Sequence, residues 1–379
     1  MRTRIRISLS LILILFLTLG STLTVYAQDP DPVVRITQVD NSNFPNVTVY
    51  VSATNAAGEP VGIDPSTIQI FENGQVMQLV DVQGGGDVAS QESSIPVTTM
   101  LVMDISGSMD KNDKLAGAKE AAKSYVSQMR PGDQAGLIAY DTNVYTVQPI
   151  TADTAVITAA IDGLQTGSDT AMYNALMEAV KALETASGRK AIIVLTDGMD
   201  NQSSNTLETV IAGIGTSGLT ISAIGFGDVA ASGQAGLDEA GLKSLSEQAG
   251  GVYGYASSAD VLKGLFQQQS RVLQSEYRLT YVSPSALRDG VNRNLTVALT
   301  GTPAVAEETY NPGGVLPEVS ASSWPLFLMI LVVLLVLLFL PGLIGGVSGA
   351  LRNRKSSSGP GFGLGKQPQT AARGRIKLK

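Results

Sequence analysis

The 379-residue sequence contains no cysteine and no histidine. These absences remove Ser-His-Asp catalysis, Cys nucleophiles, imidazole general bases and Cys/His zinc sites. They also remove disulfides, so an exported form must be held by its core alone. Aromatic residues are scarce at 5%, against 44% hydrophobic residues overall and 40 glycines. That balance suits α/β packing better than an aromatic-rich all-β protein. No acid pair and no Gly-rich phosphate loop of P-loop type stands out, so catalysis would have to rest on isolated Asp, Glu or Lys. An enzyme is not expected.

Two long apolar runs are present. Residues 1–27 combine a basic head, an apolar stretch and small or apolar residues at Val25 and Ala27. That is the pattern of a secretory signal peptide, with an uncleaved anchor as the alternative. Residues 324–347 form 24 residues without a charge, from Trp324 to Val347. The run is long enough to cross a bilayer, and Trp324 sits where an interfacial aromatic would. The tail, 348–379, holds eight Lys/Arg and no acid. By the positive-inside rule the tail is cytoplasmic, and the bulk of the chain lies outside a cell membrane crossed once. Gly342 and Gly346 form a G-x-x-x-G in that span, a pointer to homo-oligomers. All 33 acids but only 15 of the 26 bases lie between the two runs, a net charge of −18 for that part. Such a surface repels nucleic acid and favours cations or basic partners.

Residues 33–95 read as β-rich, with short alternating runs punctuated by turns at "NAAGEP" and "ENGQ". Over 96–273, strands alternate with helical stretches of about 10–15 residues, which implies right-handed crossovers and a parallel sheet. Residues 274–302 return to β alternation. The expected fold is α/β, a doubly wound and mostly parallel sheet with helices on both faces. It is inserted in, or flanked by, a small β-sandwich, with one C-terminal transmembrane helix beyond. Residues 303–323, rich in Pro, Gly, Ser and Glu, read as a stalk between the β strands and the span.

Two strand ends share a signature, "VMDISGSM" and "VLTDGMDN". In a parallel sheet both acids fall on the carboxyl edge, where functional loops belong, so Asp104 and Asp197 can converge. Between them, Thr170 follows a polar loop and opens a helix. Asp104, Ser106, Ser108, Thr170 and Asp197 make a hard, all-oxygen set suited to Mg²⁺, with Mn²⁺ or Ca²⁺ as alternatives. Read singly, the three hydroxyls are helix caps and the acids solvated loop ends; the joint placement favours the metal. Asp141 and Asp200 also fall near strand ends, as supporting acids or loop acids without a role.

The order D-x-S-x-S, a distant Thr, then a distant Asp resembles the metal-ion-dependent adhesion site of the von Willebrand factor A domain family. The resemblance covers roughly Pro96 to Leu273. It implies that Ser106, Ser108 and Thr170 touch the metal while Asp104 and Asp197 act largely through water. Many relatives carry Gly-Gly before the threonine, whereas this chain has Ser168-Asp169. The resemblance further implies adhesion or receptor-type binding of a protein ligand that offers a carboxylate to the metal. The alternative is a metal-dependent scaffold subunit of a membrane or envelope complex.

Overall fold

The structure is a computed structural model that describes residues 31–85, 95–215, 218–227, 236–314 and 327–338. The expected signal, the basic tail and most of the predicted span lie outside the described residues. Within 324–347, residues 327–338 are helical with exposed side chains. No helix among the described residues is long and apolar enough to cross a membrane.

Five strands precede the α/β unit: β1 (Val33–Asp40), β2 (Asn46–Thr54), β3 (Ile68–Glu72), β4 (Gln75–Met77) and β5 (Leu79–Gly84). Asn73 and Gly74, at φ of 50° and 80°, close the hairpin between β3 and β4, as the Asn-Gly pair predicts. The α/β unit then runs through β6 (Val97–Asp104), α1 (Lys114–Val126), β7 (Gln134–Tyr140), β8 (Val144–Thr151), α2 (Thr154–Asp162) and α3 (Met172–Ala182). It continues through β9 (Arg189–Thr196), α4 (Leu207–Gly213), β10 (Thr220–Phe226), α5 (Glu239–Gln248), β11 (Tyr253–Ala256) and α6 (Ala259–Gln274). Three strands follow, β12 (Tyr277–Val282), β13 (Arg293–Leu299) and β14 (Val305–Tyr310).

The central sheet has the order β11-β10-β9-β6-β7-β8, and only edge strand β8 is antiparallel. Every residue of β6 and β9 is buried, as strands covered on both faces must be. Leu101 and Met103 of β6 point into a core with Ala121 and Tyr125 of α1, Ile157 of α2 and Phe266 of α6. Met100 and Val102 point the other way, against Leu176 of α3, Val210 of α4 and Leu245 of α5. Among the described residues, three helices therefore cover each face.

Strands from before and after the α/β unit share two further sheets, β1-β2-β12-β5 and β14-β13-β3-β4. Their inner faces form one core that includes Val49, Ile70, Leu279 and Val297. Residues 305–310, expected in the stalk, are instead strand β14, paired antiparallel with β13. Ala306 and Tyr310 turn into the sandwich core while Val305 and Glu307 face out. The Pro, Gly and Glu residues around this short alternation conceal it in the sequence.

The sandwich abuts the amino ends of the parallel strands. Arg189 at the start of β9 and Glu276 just before β12 form a bidentate ion pair, each side chain 1% exposed. Gln38 Oε1 of β1 accepts from Arg189 Nη1 (3.1 Å) and from the Lys190 amide (2.9 Å). Thr220 Oγ1 of β10 donates to the Thr37 carbonyl. Removing one member of such a pair strands a buried charge. Glu276→Gln should therefore cost about 3–5 kcal/mol in chemical denaturation, and Arg189→Met with Glu276→Leu should recover most of it. A loss below about 1 kcal/mol for Glu276→Gln would contradict this view of the junction.

Candidate metal centre

The sheet order reverses between β6 and β9: the chain winds outward from β6 through β7 on one side and returns to β9 on the other. A crevice opens at the carboxyl ends of strands at such a switch point, at the end of the unit opposite the sandwich. Parallel pairing of Met103 with Leu195 brings Asp104, the last residue of β6, beside Thr196. Asp104 is fully buried; its Oδ1 accepts from the Ser106 amide (2.8 Å) and its Oδ2 from Thr196 Oγ1 (2.7 Å).

Beyond Asp104 the chain passes through Ser106, at the N-cap, into a 3-10 segment, Gly107–Asp113, that carries Ser108. Ser106 Oγ lies 3.0 Å from Ser108 Oγ, and Ser108 Oγ donates to Asp197 Oδ1 at 2.5 Å. Asp197 Oδ2 also receives Lys114 Nζ at 2.6 Å. Four of the five predicted residues thus join in one hydrogen-bonded group. Thr170 makes none of these bonds, but the loop just before it is tied to the serine turn by backbone bonds, Gly107 N to Ser168 O (2.7 Å) and Gly167 N to Ile105 O (2.6 Å). A Cβ at Gly198 would lie 3.9 Å from Thr170 Oγ1, which places that hydroxyl beside the chain next to Asp197.

The helix-cap reading of the hydroxyls does not hold. Ser106 occupies an N-cap position but makes no side-chain cap bond, and α3 is preceded by Ala171 rather than Thr170. The acids are not solvated loop ends either, since Asp104 is 0% and Asp197 5% exposed. Among the described residues no three His, Cys, Asp or Glu side chains gather to hold a metal. The five candidate residues combine two carboxylates with three hydroxyls. The 3.0 Å between Ser106 Oγ and Ser108 Oγ is a hydrogen bond; it is also compatible with the roughly 3.0 Å between neighbouring ligands of an octahedral ion whose metal–oxygen distances are near 2.1 Å.

Several supporting residues escape sequence reasoning. Thr196 fixes Asp104 from the neighbouring strand, and Lys114 pairs with Asp197 from the first residue of α1. Asn201 Oδ1 accepts from the Thr170 amide (3.0 Å). Asp200 accepts from the Tyr173 amide (2.9 Å) and from Ser203, closing the first turn of α3. Asp141 is buried against Gly167, where a Cβ would fall 2.0 Å from its Oδ2, so only glycine fits that loop position. Both acids therefore shape the loops around Thr170. Asp169 is half-buried, with its amide on Thr142 Oγ1.

Residues 99–199 match the family model of the von Willebrand factor type A domain, and that segment holds all five candidate residues. A UPF0353 protein from Mycolicibacterium paratuberculosis is 28% identical over 202 residues, 47% of this chain and 60% of the relative. The chain thus spans about three fifths of the length of that curated relative. A solved von Willebrand factor type A structure from Catenulispora acidiphila is 17% identical over 76% of this chain and 74% of that one, with a TM-score of 0.45. The conserved hypothetical protein BatB from Bacteroides thetaiotaomicron is 22% identical, covering 47% of this chain and all of that one, with a TM-score of 0.40. The α/β unit has a von Willebrand factor A-like fold.

Burial pushes the Asp104 carboxyl up to about 6, against the opposing donors of Ser106 and Thr196, from an ordinary value of 3.8. The folded chain holds this proton more tightly than the unfolded chain does. Its stabilising contribution is complete below about pH 4 and is lost as pH rises through about 6. In EDTA, wild type should lose on the order of 3 kcal/mol relative to Asp104→Asn between pH 4 and pH 7. Parallel stability curves for the two proteins would show that Asp104 is not so perturbed.

Proposed function

We propose that this chain is a membrane-anchored, extracytoplasmic protein that binds a protein partner through a divalent ion, Mg²⁺ in the first place. Asp104, Ser106, Ser108, Thr170 and Asp197 would hold the ion. The observation that carries this reading is the oxygen group at the switch point. Two serine hydroxyls stand at the spacing of neighbouring metal ligands, backed by a buried carboxylate and uncommitted to helix capping.

Each residue has a part to play. Asp104 orients the turn by accepting the Ser106 amide, and Thr196 stops that carboxylate from rotating away. Asp197 anchors Ser108 from the neighbouring strand. The backbone bonds from Gly167 N to Ile105 O and from Gly107 N to Ser168 O tie the loop before Thr170 to the turn that carries the serines. With three neutral hydroxyls in the set, a bound ion keeps much of its positive charge and can take a carboxylate from a partner. With no His or Cys in the sequence, no imidazole base and no thiol nucleophile is available to the group, which favours recognition over catalysis. The apolar run 324–347 and the basic tail support anchoring with the tail inside.

Calorimetric titration of the purified full-length chain with Mg²⁺, Mn²⁺ and Ca²⁺ tests the ion. Ser108→Ala should weaken Mg²⁺ binding by more than the roughly 10–100-fold typical of losing a supporting residue, and Asp104→Ala should abolish it. Unchanged affinity in both variants would place the ion elsewhere. Partner capture should require Mg²⁺ and fail in EDTA; capture that survives both EDTA and Asp104→Ala would overturn metal-mediated recognition.

A further inference from the structure

We propose that Lys114 is a built-in counter-ion that competes with the divalent cation for Asp197 and so sets the affinity of the site. The proposal rests on the metal-binding reading above.

Lys114 Nζ is 2.6 Å from Asp197 Oδ2, with the aspartate side chain fully enclosed and the lysine side chain 18% exposed. Nothing local to its helix favours a cation there. Lys114 is the first residue of α1, where the helix dipole opposes positive charge, and the first turn contains no acid to offset it. The preceding Asp113 stands at φ 54° and makes no capping bond. Among the described residues, the ion pair that Lys114 makes is with Asp197.

The seat is narrow. Gly227, at the end of β10 with φ of 132°, lies against it: a Cβ there would sit 3.1 Å from Lys114 Nζ and 3.4 Å from Cε. Yet the lysine has somewhere else to go. It also lines an open groove of about 880 Å³, together with Asp113, Glu120 and Asp260. Asp197 is walled in and bonded to Ser108, so the lysine is the movable partner of the pair. Seated on Asp197, it leaves the two aspartates of the site with one uncompensated charge instead of two. A divalent ion arriving at the serines meets both that reduced attraction and direct repulsion from the ammonium.

Calorimetry with MgCl₂ on full-length wild type, Lys114→Met, Lys114→Gln and Lys114→Arg, beside thermal unfolding in EDTA, tests this. Lys114→Met and Lys114→Gln should bind Mg²⁺ about tenfold or more tightly than wild type, and Lys114→Arg close to wild type. In EDTA, Lys114→Met should melt below wild type, because the Asp197 carboxylate is then enclosed without a counter-ion. Added Mg²⁺ should raise its melting temperature by more than it raises that of wild type. Lys114→Gln keeps a donor for Asp197, so its affinity decides the matter even if Lys114→Met does not fold in EDTA. Equal or weaker Mg²⁺ binding in the neutral variants would show that the lysine merely orients Asp197, and the proposal fails while the metal site stands. Absence of Mg²⁺ binding in wild type and variants alike would overturn the metal reading and this proposal together.

Discussion

The site depends on one register, the parallel pairing of β6 with β9 that sets Met103 opposite Leu195. A slip of one residue would turn every side chain of either strand to the opposite face. With the register fixed, Asp104 leaves the sheet beside Thr196, and Asp197 follows a residue later. The rest of the site hangs on that edge. Asp104 holds the turn that carries Ser106, Ser106 lies against Ser108, and Ser108 reaches back to Asp197. The loop before α3 is laced to the same turn through Ile105 and Gly107, which brings in Thr170. Burying the Asp104 carboxylate is costly on its own, and two donors held in place by the sheet offset only part of that cost.

Two ion pairs at opposite ends of the α/β unit are built differently, and the contrast explains their roles. Arg189 and Glu276 are both enclosed and bidentate, with Gln38 bonded to the same guanidinium. Neither charge has water to turn to, so the pair fixes the sandwich against the amino ends of β9 and β10. Lys114 and Asp197 make a single contact, with one partner enclosed and the other at the lip of a groove. The first is a rigid mount. The second joins an enclosed aspartate to a lysine that keeps a solvent-facing side.

Much of the fold was legible because its signals are local. Continuous apolar runs mark β6 and β9, helical periodicity marks α1 and α6, and Asn73-Gly74 marks its hairpin. The convergence of Asp104 and Asp197 was legible because strand ends in a parallel sheet share one edge. What stayed hidden depends on distance in the chain. The Lys114 contact with Asp197 links the start of α1 to the end of β9, and nothing near either residue announces it. Thr196 reads as an ordinary strand residue until its hydroxyl is found on Asp104. Asp141 and Asp200 gave no role in sequence because their partners are backbone amides and a glycine surface. Strand β14 was hidden for a compositional reason, since two adjacent glutamates break its alternation at Glu307 and Glu308.

The central claim is that these oxygens hold a divalent ion, and anomalous diffraction from crystals of the chain grown with Mn²⁺ tests it most directly. The account predicts one strong anomalous peak within about 2.0–2.3 Å of Ser106 Oγ and Ser108 Oγ, with Asp197 alongside. Saturating Mn²⁺ that leaves no peak between the two serines and Asp197, or places it at another cluster, would contradict it.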